Sequence, residues 1–170
     1  MPEETVKEEL LDRIEKTAHD YEKKYHGCSR CVLKAIQENM KIGDPTSLKG
    51  VTPLAAGVAM RGETCGALLG GLIALGIVTA SEDFGDEGAM TNSISLGFRL
   101  TRRIEKEFGS TKCTEIQKSK LGKSYSLADP NQYQEFIAAG GYVECPKVVG
   151  KVARITADFI HDYLAKQKNS

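Results

Sequence analysis

Residues 65–80, CGALLGGLIALGIVTA, hold no charged side chain, and they constrain the fold more than any other stretch. These sixteen residues fall short of the roughly 20 that a membrane-spanning helix needs, so they suit a buried helix at the centre of a soluble domain. Glycine weakens a helix interior by up to about 1 kcal/mol relative to alanine, so glycines kept inside one require a reason. Gly62, Gly66 and Gly70 recur every four residues and are expected to form one bare stripe along it. A second helix, or a cofactor, can approach that stripe more closely than Leu or Ile would allow. Close helix packing, within the chain or across a dimer, is the simpler use. Cys65 stands at the head of the stripe, behind the loop Arg61-Gly62-Glu63-Thr64.

The rest of the chain reads as helix, with no strand-like alternation. Val6, Leu10, Ile14, Ala18, Tyr21 and Tyr25 share one face of a first amphipathic helix over residues 3–25. Gly27 breaks it, and a second helix over residues 28–40 turns Cys28, Val32, Ala35, Ile36 and Met40 inward. Asp44-Pro45 and Thr52-Pro53 read as caps followed by first-turn prolines. After the polar loop 81–88, Met90, Ile94, Gly97, Thr101, Ile104 and Phe108 mark an antiparallel packing seam. Residues 110–119 form a short helix carrying Cys113, residues 121–128 an exposed loop, and residues 129–139 another short helix. Cys145-Pro146 opens a long last helix with a broad apolar face. The expectation is one all-α domain over residues 1–170, a bundle of about six or seven helices around the glycine-rich one. It comprises an N-terminal helix (residues 1–25) and a cysteine-bearing core (residues 26–165).

The 170 residues balance 23 basic against 23 acidic side chains, and no run of Lys or Arg exceeds two. A nucleic-acid partner is therefore not expected, nor is membrane insertion. The acidic N-terminus holds no apolar core of signal-peptide length, which points to the cytoplasm and to thiols that are reduced or ligating. The odd cysteine count, five, argues the same way.

Four of those cysteines share a position. Cys28 follows His26-Gly27, Cys65 follows the Arg61 loop, Cys113 follows Gly109-Ser110, and Cys145 precedes a proline. Each is expected within the first turn of a helix, where unpaired N–H groups and the helix dipole stabilise an anion. A thiol there can have its pKa lowered to about 3.5–7.5, giving the thiolate that metal ligation, disulfide exchange and electron transfer use. If the four helix starts converge, four sulfurs face one point. The bland alternative is that each is a small packed hydrophobe.

Cys28-Ser29-Arg30-Cys31 is a CxxC, but no βαβ pattern surrounds it as a thioredoxin-type site requires. Val32 takes the place that the histidine of a covalent haem site would occupy. Four thiolates could hold structural zinc or an iron–sulfur cluster. Of the histidines, His19 and His161 are expected in solvent and His26 near the sulfur site. Arg61 is expected either to favour the Cys65 thiolate or to pair with Glu63.

These residues resemble the redox-active protein family named for the pattern C_GCAxxG_C_C. The resemblance rests on Cys28 in HGCSRCVL, on Cys65-Gly66-Ala67-Leu68-Leu69-Gly70 and its approach Met60-Arg61-Gly62-Glu63, on Cys113 in FGSTKC, and on Cys145. It covers residues 20–165. It implies a small cytoplasmic helical protein of prokaryotic type that acts in redox chemistry through its four cysteines. The family is also similar to the non-haem portion of split-Soret cytochromes, in which an iron–sulfur site has been considered. Cys31 departs from the pattern, standing where the family usually has a small residue such as alanine. It reads as a resolving thiol, an alternative ligand or a bystander.

The leading expectation is an electron-transfer protein whose Cys28, Cys65, Cys113 and Cys145 bind an iron–sulfur cluster, with Gly66 and Arg61 beside it. A metal-free thiol/disulfide oxidoreductase using Cys28 with Cys31 or Cys65 is the alternative, and a structural zinc or scaffold protein is the third reading. The sequence names no redox partner. The apolar faces and the bare glycine stripe raise the expectation of a homodimer.

Overall fold

The computed structural model describes residues 3–168, and all regular structure among them is helical. The helices are α1 (Glu3–Tyr25), α2 (Cys28–Met40), α3 (Thr46–Val51), α4 (Gly66–Thr79), α5 (Glu87–Phe108), α6 (Cys113–Leu121), α7 (Pro130–Ala138) and α8 (Gly141–Lys168). A single 3₁₀ turn, Thr52–Leu54, follows α3. Eight helices thus stand among the described residues against the six or seven expected. The short helix expected behind Asp44-Pro45 is present as α3. No helix among the described residues is long and apolar enough to cross a membrane.

Helix α8 lies along α1, with α2 and α4 packed against both α8 and each other. The buried stripe of α1 is Leu11, Ile14 and Ala18, extended by Glu22, which is only 4 % exposed. Val6 and Tyr25, expected inside, are exposed. The stripe turns away from them because it follows the line of α8. Ion pairs fix the register of the two long helices. Arg154 reaches Glu8 and Asp12 at 2.5 Å each, and Lys7 meets Asp158 at 2.5 Å and Asp162 at 2.8 Å. Each pair contributes little to stability at a wet surface, but together they disfavour sliding.

The glycines of α4 are filled by neighbours inside the chain. A Cβ on Gly70 would lie 2.2 Å from the Ser29 carbonyl oxygen of α2, and one on Gly71 would lie 2.6 Å from Thr156 Oγ1 of α8. Gly62 is not part of this run. It precedes the helix, at φ 72°, so the sequence stripe is broken at its first member.

On α5 the buried residues are Leu96, Leu100 and Ile104. Met90 and Ile94, expected in the packing seam, face outward at 55 % and 66 % exposed. The rest of the expected seam does turn inward: Ile104 is buried, Phe108 packs against the core and Gly97 faces Leu72 of α4, so the true face is rotated from the expected one by part of a turn. Loop residue Tyr125 is buried and meets Phe136 edge-on, so the segment expected to be an exposed loop contributes one core side chain.

Candidate functional site: a cavity lined by four thiols

Four short stretches of backbone bring the cysteines to one end of the bundle. Cys28 is the first residue of α2, released from α1 by His26 and Gly27, both with positive φ. Cys65 is the N-cap of α4 and Cys113 the first residue of α6. These two starts are tied together. The Cys65 N–H donates to the Thr111 carbonyl at 2.8 Å, and the Cys113 N–H donates to the Glu63 carbonyl at 2.6 Å. Cys145 departs from the expected pattern, because α8 begins at Gly141. The helix starts a turn earlier than expected, where the Gly140 carbonyl accepts the Val143 and Glu144 N–H groups and Gly141 lies tight against the Phe136 ring, and Pro146 falls inside it.

Between Cys28 and Cys65 the chain makes a left-handed turn. Ala56, Gly57, Val58, Ala59 and Met60 all have positive φ, between 51° and 70°. L-residues pay roughly 1–2 kcal/mol each for this conformation, and a β-branched residue such as Val58 is rarely found in it. The turn folds the chain tightly enough for Gly57 to lie against the Cys113 side chain, whose Cβ would be 2.7 Å from an added Cβ. Backbone strain of this kind persists only where surrounding contacts hold it, and it gathers at functional sites.

Cys28, Cys65, Cys113 and Cys145 all line one cavity of about 110 Å³. Ala55 and Ala56 of the turn, Ile116 and Gln117 of α6, and Phe136, Val148 and Val149 add walls. Gly66 serves close approach here. A Cβ on it would stand 2.6 Å from the Cys28 sulfur.

The thiols are protonated at neutral pH, contrary to the lowering expected at helix starts. Burial pushes Cys65 up to about 12 and Cys113 to about 11, and it drives Cys28 and Cys145 upward as well, each reinforced by its sulfur neighbours. Backbone donors act in the expected direction: N–H groups of Ala67 and Leu68 at the start of α4 favour the Cys65 thiolate, and those of Ser29 and of Ala56 in the left-handed turn favour the Cys28 thiolate. Desolvation outweighs them. Gln117 donates to Cys113 Sγ at 3.5 Å, its amide held in that sense by the Tyr125 N–H on its Oε1 at 2.8 Å.

Sequence reasoning missed Glu22. It lines the cavity, burial lifts its pKa to about 7, and its Oε2 has no hydrogen-bond partner. The available signal was a carboxylate continuing the Leu11–Ile14–Ala18 spacing by one more turn. His26 also lines the cavity, stacked on Tyr142 with ring centroids 3.7 Å apart and Nδ1 buried without a partner. Tyr142 is held in turn by Tyr133, hydroxyl to hydroxyl at 2.7 Å.

Cys31 is not a wall of this cavity. It faces an outer groove with Tyr21, Arg30 and Lys34 and donates to the His26 carbonyl at 3.5 Å. Arg61 is exposed and lines a separate groove beside Thr114 and Gln117. Neither of its expected roles, on Cys65 or with Glu63, is seen. His19 and His161, expected in solvent, are both partly buried, and His19 reaches Asp20 at 3.1 Å. Among the described residues no three His, Cys, Asp or Glu side chains are grouped so as to hold a metal ion.

No curated protein and no solved structure matches the chain. A family model does, over residues 25–159: "Putative redox-active protein (C_GCAxxG_C_C)". The matched span contains all five cysteines, the left-handed turn and most of the cavity wall. The chain belongs to the C_GCAxxG_C_C family of redox-active proteins.

Proposed function

We propose that the four-thiol cavity is the redox centre of this protein and that Cys28, Cys65, Cys113 and Cys145 bind an iron–sulfur cluster there for electron transfer. The observation that carries the reading is the lining of one cavity by four thiols from four separate elements. Soft thiol donors without a fixed sequence spacing suit such a cluster. Structural zinc would draw on the same four sulfurs, and metal and sulfide analysis separates the two. Cluster ligation and thiol exchange both need the thiolate, so either one must overcome the burial of these groups. Here burial holds Cys65 and Cys113 near 12 and 11.

Such a cluster, when bound, accepts and returns one electron. The chain's own part is to surrender the thiol protons, which the helix-start N–H groups and the Gln117 amide favour by donating to the sulfurs. The apolar walls, Phe136, Val148 and Val149, keep water from the centre. Glu22, with a pKa near 7, carries its proton in mildly acid solution and so adds no second negative charge to a site that already gathers four sulfurs.

The alternative is a metal-free disulfide cycle between Cys28 and Cys65, supported by their place on one cavity. Protein purified without oxygen separates the two readings. The cluster reading expects brown protein containing iron and acid-labile sulfide, with absorption near 400 nm that bleaches on reduction. Colourless, iron-free protein that loses two free thiols on mild oxidation and regains them on reduction would establish the alternative instead.

A further inference from the structure

The α5 helix has two apolar faces, and the fold uses one. Leu96, Leu100 and Ile104 are buried against the bundle. Met90, Ile94 and Phe98, spaced four residues apart on a second side about a third of the way round the helix, are 55 %, 66 % and 67 % exposed. Phe84, in the loop leading into the helix, is fully exposed. A soluble surface tolerates scattered apolar residues, but a continuous stripe of large ones marks a contact surface.

The charges around the stripe indicate what covers it. Acidic residues cluster at its N-terminal end: Glu82, Asp83, Asp86 and Glu87. Arg99, Arg102 and Arg103 lie toward the other end. Arg99 and Arg103 are drawn over the Phe159 ring of α8. Arg102 stays 68 % exposed, tethered only by an intrahelical pair with Glu105 at 3.0 Å. Glu87 lies seven residues before Ile94 and Arg102 eight after it. An antiparallel copy of α5, centred on Ile94, therefore sets Met90 against Phe98 and Glu87 close to Arg102, twice over. A two-fold interface needs this self-complementarity. A parallel copy would set acid on acid.

We infer that the exposed face of α5 is a homodimer interface, two copies packing antiparallel about Ile94. The glycine run is not the dimer surface, since Gly66, Gly70 and Gly71 are closed off by Cys28, Ser29 and Thr156 of the same chain. The inference is independent of the chemistry at the thiols.

Light scattering on size-exclusion eluate tests it. The wild-type chain is expected at twice its 18.5 kDa mass at micromolar concentration. Ile94→Glu with Phe98→Glu should give the monomer mass while retaining the wild-type helical circular dichroism, because both side chains are exposed in the single chain. Glu87→Arg alone and Arg102→Glu alone should each weaken the dimer about tenfold, the loss of a charge-assisted contact. The two together should restore it, which a parallel packing or a different surface would not do. A wild-type monomer, a dimer indifferent to Ile94→Glu with Phe98→Glu, or charge reversals that fail to compensate would each overturn the inference.

Discussion

The Cys28 sulfur occupies the space that a side chain on Gly66 would need, 2.6 Å from the position of its Cβ. The Leu54 carbonyl oxygen at 2.8 Å and the Ala55 Cα at 3.0 Å close the same gap from the backbone. Gly66→Ala is therefore expected to lower stability by about 2 kcal/mol, as overpacking does, and to displace Cys28 so that it alkylates faster. Gly76, in the same helix, meets nothing within 4 Å. Gly76→Ala is expected to raise stability by up to about 1 kcal/mol from helix propensity alone. Denaturant unfolding of the two variants compares a packing glycine with an idle one.

The left-handed turn makes a second prediction. Ala59 is exposed, at φ 51° and ψ 47°, so its methyl group adds strain and no packing. Ala59→Gly should stabilise the protein by about 1 kcal/mol, read as a raised denaturant midpoint with unchanged slope. A lower midpoint would mean that the turn is not left-handed at this residue.

Glu22 makes the stability depend on pH. Its pKa rises from 4.5 to about 7 on folding, chiefly by burial, so between those values the folded state holds a proton that the unfolded state has released. Its contribution is present in full below about pH 4.5 and is lost as the pH rises to about 7. Glu22→Gln should therefore match the wild type near pH 4 and exceed it by roughly 3 kcal/mol at pH 8. Thermal melts at both pH values check this, and a variant less stable at pH 8 would contradict it.

Much of the helical layout could be read from the sequence, because the long helices carry a 3.6-residue period that burial enforces. The buried stripe of α1 was shifted by part of a turn because Tyr21 and Tyr25 compete with Leu11 and Glu22 for the reading of one amphipathic face. On α5 the expected seam meets the core at Ile104 and Phe108 but not at Met90 and Ile94, because a second apolar stripe beside the true one draws the periodicity away from Leu96 and Leu100. The thiols illustrate the limit in the site. Their helix-start positions were legible at Cys28, Cys65 and Cys113, whose glycine and capping signals are local. The start of α8 at Gly141 was not, because Cys145-Pro146 offers a stronger local start signal, a first-turn proline, four residues further on. The direction of the thiol pKa shifts depends on desolvation by walls contributed from α6, α7 and α8, which no local motif encodes. Glu22 was hidden for a related reason, since a carboxylate on a surface-rich helix looks solvated until its neighbours are in place.

Replacing each cysteine singly by serine and reconstituting the chains without oxygen with ferrous iron and sulfide tests the central claim most directly. Bound iron, labile sulfide and the visible spectrum are compared at equal folded protein. The account predicts that Cys28→Ser, Cys65→Ser, Cys113→Ser and Cys145→Ser each lose or sharply weaken the chromophore, while Cys31→Ser, whose thiol faces the outer groove, keeps it. A chromophore that depends on Cys31 and survives the loss of any two of the other four would contradict it.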